Sequence, residues 1–144
     1  MYIGFLHLHD TLRWLLLLSI IIILAKYLTG WLGAKQYTKV DNILGIVFTS
    51  IMDLQFLTGI VLYFFLSPIT KHAFDNFGEA MKDSELRFYA VEHITMMLIA
   101  LILVHIGRVK SKKAKTDLAK FKTAFIYYLI ATVVIVAAIP WSRV

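Results

Sequence analysis

The chain has 144 residues, 60% of them hydrophobic, with a formal net charge of +6 and no cysteine. An apolar share above the usual roughly 45–50%, with a mean hydropathy of +0.76, points to a bilayer rather than to water. The missing cysteines exclude disulfides, thiolate-ligated zinc, iron–sulfur clusters and c-type haem attachment, so metal ligands are confined to His, Met and carboxylates.

Four apolar segments follow one another, at about 4–31, 43–66, 86–107 and 121–139, with no internal repeat or low-complexity linker between them. Each is long enough for a helix to cross hydrocarbon, which takes roughly 20 residues. The pattern predicts an all-α four-helix transmembrane bundle forming a single domain over 1–144. The N-terminus has His and Asp where a signal peptide would be basic, and no small-residue cleavage site follows, so the first segment is expected to be a retained span. Gly30 and Gly33 punctuate its exit, and Asp41 or Asn42 can cap the second helix. Ser67-Pro68 ends the second span, Ser84 followed by Arg87 opens the third, and Pro140 stops the fourth. Trp141 then falls where indole rings favour the membrane interface.

Basic residues set the expected orientation. The first and third connections, with the adjoining span ends, hold Lys26, Lys35, Lys39, Arg108, Lys110, Lys112, Lys113, Lys115, Lys120 and Lys122, ten of the fifteen Lys and Arg. The 67–86 connection mixes Lys71, Lys82 and Arg87 with Asp75, Glu79, Asp83 and Glu85. The positive-inside rule puts both termini and the 67–86 loop outside. The positive charge is thus read as a topology determinant rather than a nucleic-acid surface, with contact to anionic headgroups at Arg108–Lys122 as a second reading.

The segment from Arg87 to Arg108 is apolar apart from a few residues, among them Glu92, His93 and His105. Ionisable side chains at such depth cost roughly 2.5–3.5 kcal/mol on insertion scales and usually face a partner inside the bundle. At the outer end, His9 lies about 8 Å deep and His93 about 10 Å, with Gly59 about 10 Å deep on the second helix. Two imidazoles on different helices thus share a layer with a side-chain-free position, which is what a porphyrin between helices requires. Arg13, one turn deeper on the face of His9, could neutralise a propionate or pair with a buried carboxylate.

Each residue also has a plainer reading. A buried His can simply hydrogen-bond a neighbouring helix, and Glu92, about 100° round from His93, can pair with Arg13 or Arg87 or handle protons. Asp53 is expected to be protonated or paired with Arg13, and Gln55 to bond between helices rather than to a quinone. His7 is the alternative ligand to His9, but two residues turn a helix by about 200°, so the two cannot face one way. His72 belongs to the outer loop, in water or covering the site. His105 lies about 18 Å along the helix from His93, too far to share its ion. Met52, Met81, Met96 and Met97 read as packing.

The stretches HLHDTLRW at 7–14, GWLGAKQYTKVDN at 30–42, DLQFLTGIVLYF at 53–64, RFYAVEHITMMLIALILVHIGR at 87–108 and IPW at 139–141 span nearly the whole chain. In them it resembles the small bacterial four-helix membrane proteins labelled cytochrome b-like. On that resemblance His9, Arg13, Glu92 and His93 occupy the family's polar positions, whereas Asp53 stands where similar sequences tend to have His. The expectation is a b-type haem protein of the bacterial inner membrane that passes electrons, with quinol as a candidate partner. In this reading His9 and His93 ligate the haem iron, and Arg13, Gly59 and Glu92 border the haem. Two other classes are kept. One is a non-catalytic accessory subunit of a larger respiratory or transport complex, and a homodimer is also open. The other is a His9/Glu92/His93 metal or proton site without haem, with Asp53 as a further ligand. No nucleophile–base pair, phosphate loop or hydrolytic motif is present.

Overall fold

The computed structural model describes residues 1–143. Four long helices dominate it: α1 (Tyr2–Leu32), α2 (Lys39–Val61), α6 (His93–Lys113) and α7 (Asp117–Ala138). A π-helical turn at Leu62–Leu66 prolongs α2, and another at Phe88–Glu92 precedes α6. With these extensions the apolar helices run Tyr2–Leu32, Lys39–Leu66, Ser84–Lys113 and Asp117–Ala138, each long and apolar enough to cross a membrane. The expected 67–86 loop holds three short helices: α3 (Pro68–Asp75), α4 (Phe77–Ala80) and α5 (Ser84–Arg87). The protein is an all-α four-helix bundle, and an even number of spans leaves both termini at one end.

Neighbours around the bundle run α1, α2, α6, α7 and back to α1, with the closest pairing between α6 and α7 and the slightest between α2 and α6. Sequence spacing explains the close pair. Ala124, Ala131 and Ala138 recur every seven residues on α7, and Ala100, Val104, Gly107 and Ser111 alternate by four and three on α6; all are buried. Small side chains at such positions let two backbones approach in a medium that offers little hydrophobic drive. On α1 the buried stripe is Leu12, Leu16, Ile20, Ile23, Tyr27 and Gly30.

The basic end is held by a buried polar knot. Asp41, fully buried, meets Lys26 Nζ at 2.9 Å and accepts from the Thr38 backbone N–H at 2.8 Å. Thr38 is therefore the N-cap of α2, and Asp41 is its third helical residue rather than the cap. Tyr27 donates to the Asp41 carbonyl at 2.6 Å, and Arg108 donates to Asn42 Oδ1 at 2.8 Å. Arg108 is only 8% exposed, lying over Gly45, so it is a folded-back core residue as well as one of the basic charges at this end. Asp83, not Ser84, caps α5, its carboxylate accepting from Glu85 and Leu86 N–H. The exit of α1 also differs from the glycine reading. Ala34 adopts the left-handed conformation (φ 48°), and Lys35 N–H closes on the Gly30 carbonyl at 3.0 Å.

Candidate functional site

At the end opposite the basic knot, α1, α2, α6 and the end of α7 enclose a cavity of about 380 Å³. That volume lies at the small end of the roughly 300–1,000 Å³ usual for cofactor pockets. Leu16, Leu17, Met52, Phe56, Ile60, Met97 and Ile135 make its wall apolar. Into it come His9, Asp10 and Arg13 from α1, Gln55 and Gly59 from α2, Tyr63 and Tyr89 from the two π turns, and His93 from α6. The π turns are joined where Tyr63 donates to the Ala90 carbonyl at 2.5 Å. Such turns are frequent at functional sites because they re-aim side chains within a helix.

His9 and His93 face each other with ring centroids 6.4 Å apart and planes at 64°. His93 Nδ1 lies 2.7 Å from the Ala138 carbonyl oxygen. A carbonyl can only accept, so Nδ1 carries the proton and Nε2 keeps its lone pair. That carbonyl is available because Ala138 closes α7, where the last C=O groups lack helical partners. Anchoring one ring nitrogen to fix the other is the arrangement typical of metal-ligating histidines. Phe88 flanks the His93 ring at 5.6 Å.

His9 is held through its backbone, whose carbonyl accepts from Gln55 Nε2 at 3.0 Å. Gln55 thus bonds between helices, as expected. Gly59 makes room for the His9 ring itself, since a Cβ there would come within 3.2 Å of His9 Nε2. Arg13 pairs with Asp10 on its own helix at 3.1 Å, neither with Asp53 nor with Glu92. Arg13 Nε and Gln55 Oε1 are buried without a hydrogen-bond partner among the described residues. Two orphaned polar atoms beside an apolar cavity call for a ligand or water carrying polar groups.

Four of the expected site residues, His9, Arg13, Gly59 and His93, therefore line one cavity. Glu92 does not line it: its carboxylate takes Arg87 Nε at 3.1 Å and is 40% exposed, because a step of one residue swings it away from His93. His7 is exposed on another side of α1 from His9, and His72 is exposed on α3. Asp53 is neither alone nor near Arg13; its Oδ1 lies 2.5 Å from His105 Nε2, away from the cavity. A compact His9/Glu92/His93/Asp53 site is thus not assembled, and no group of three or more His, Cys, Asp or Glu suited to a metal ion occurs among the described residues.

Sequence reasoning missed Asp10, Tyr63, Tyr89 and the Ala138 carbonyl. The three-residue spacing of Asp10 and Arg13 was a readable signal for their pair; the others depend on π turns and on where α7 stops. The fold and site define a multi-pass, all-α bundle with a histidine-bearing pocket near the terminal end. No protein-family model, no curated protein and no solved structure matches the chain. The cytochrome b-like resemblance rests on the sequence motifs alone.

Proposed function

We propose that the protein is a membrane-embedded b-type haem carrier of electrons, with haem held between α1 and α6 by His9 and His93. The observation that carries this reading is the facing pair of imidazoles, one of them fixed through Nδ1 by the Ala138 carbonyl. Their ring centroids lie 6.4 Å apart, and the Ala138 carbonyl leaves His93 Nε2 with its lone pair free to hold a metal ion. Arg13, with its unpartnered Nε at the cavity wall, is the cation to meet a propionate. Haem held by these residues would supply one-electron redox chemistry.

The chain's own contribution is to orient and to exclude. The Ala138 carbonyl fixes the tautomer of His93, Gly59 leaves room for His9, and the wall around them is mostly apolar. A quinol reaching the pocket through the hydrocarbon is the natural electron partner for a protein with so little mass outside it. The charge distribution supports an orientation with both termini and this pocket on the outer side of a bacterial inner membrane.

The test is a reduced-minus-oxidised visible spectrum of protein purified in mild detergent after expression with ample haem, beside His9→Ala and His93→Ala. Sharp reduced bands are expected in the wild type and not in either variant, with helical circular dichroism retained in all three. A colourless wild type would refute the haem reading, and bands that persist in both variants would refute the ligand assignment.

A further inference from the structure

Asp53 and His105 form a hydrogen-bonded pair on the outer surface of the bundle, where α2 and α6 meet. Their side chains are 51% and 47% exposed. On a water-soluble protein this would be unremarked, but both residues sit on membrane-crossing helices. Asp53 is about 20 Å from either end of its helix, and His105 is eight residues, about 12 Å, from Lys113. Side chains on both helices tilt toward their own N-termini, which in this antiparallel pair brings the two residues together. Around them the exposed surface is apolar: Ile46 and Leu57 on α2, Leu98 and Ile102 on α6. Ionisable groups in a membrane are expensive and almost always turned to a protein interior or a water-filled cavity. Here they are turned outward.

We propose that this face is covered by a second copy of the chain, related by a two-fold axis along the bilayer normal. The pair itself says what covers it. One bond joins Nε2 to Oδ1, and among the described residues Oδ2 of Asp53 and Nδ1 of His105 make no further hydrogen bond. An unrelated membrane partner would need its own donor and acceptor at this depth. Rotation about the normal leaves depth unchanged, so a second copy brings the same carboxylate and imidazole to the same level. The two pairs are then self-complementary, as an isologous contact requires: the imidazole of each copy meets the carboxylate of the other, closing a ring of alternating Asp and His. α2 and α6 are the least closely packed neighbours in the bundle. Ser50, exposed one turn from Asp53, lets the helices approach. This interface lies on the outer face of α2 and α6, whereas the histidine pocket opens inside the bundle, and it does not depend on what that pocket holds.

A chain without cysteine suits disulfide mapping in liposomes at high lipid-to-protein ratio. Ser50→Cys on the proposed interface is expected to give an oxidised dimer, whereas Ile21→Cys on α1 and Val133→Cys on α7, both exposed, are expected to stay monomeric. Adding Asp53→Leu and His105→Leu to Ser50→Cys should lower the dimer yield roughly tenfold, the loss expected for two interhelical polar contacts in a membrane. A swap experiment guards against simple misfolding. Copies with Asp53→His and copies with His105→Asp, each carrying Ser50→Cys, should cross-link to one another in preference to themselves. Equal cross-linking at all three cysteine positions would overturn the proposal. So would a Ser50→Cys dimer yield indifferent to the Asp–His pair, or a monomeric Ser50→Cys protein.

Discussion

Replacing Gly30 by alanine adds one methyl group between α1 and α7. A Cβ at this position would stand 2.6, 2.6 and 2.7 Å from three ring carbons of Phe121, where non-bonded carbons prefer about 3.5–4.0 Å. The overlap is therefore about 1 Å at three atoms at once. Phe121 has no room to yield: it is fully buried, with Tyr27 at 5.5 Å and Tyr37 at 5.1 Å between ring centroids. Overpacking of this kind costs about 1–3 kcal/mol, against which alanine recovers roughly 0.5–1 kcal/mol of helix preference. The expected result is a net loss of about 1–2 kcal/mol. Equilibrium unfolding by SDS in mixed micelles, followed by tryptophan fluorescence, measures it. Gly4→Ala is the control, because nothing lies within 4 Å of its Cβ position; it should be neutral or stabilising by at most about 1 kcal/mol. Phe121→Leu should relieve the clash, so the double variant costs less than the sum of the two single ones. A Gly30→Ala protein as stable as wild type would refute the close approach of α1 and α7 at this level.

Two further outcomes follow from the basic end. Ala34→Gly should stabilise the protein by about 0.5–1 kcal/mol in the same assay, because alanine is strained at φ 48° and glycine is not. Asp41→Ala should cost about 1–2 kcal/mol through the lost hydrogen bond from the Thr38 N–H alone, and more with the buried partner of Lys26 gone. Asp41→Asn, which keeps an acceptor for the Thr38 N–H, should cost less than Asp41→Ala, and the reverse order would refute this role of Asp41 in the capping box.

The bundle was legible in the sequence because bilayer physics acts on runs of residues rather than on single ones. Four apolar segments of sufficient length admit only helices, since each must satisfy its own backbone polar groups in hydrocarbon. Counting residues from the span ends also brought His9, His93 and Gly59 to one level, because rise per residue is nearly constant. Rotation about each helix and the choice among polar partners were not legible to the same degree. Arg13 finds Asp10 rather than Asp53, Glu92 finds Arg87, and Arg108 folds back over Gly45. Each outcome depends on which neighbour packs close enough to replace the lost water.

What the sequence by itself determined is the class of protein and the ends at which its charges gather. Hydropathy and charge are sums over many residues and tolerate error in any one. Only the tertiary structure decided that Ala138 ends α7 with its carbonyl against His93, and that Gly59 stands beside the His9 ring. It alone turned Asp53 and His105 to each other on the outer face. These are contacts between helices, set by crossing geometry and by the two π turns to within a fraction of an ångström. No spacing along a single helix encodes them.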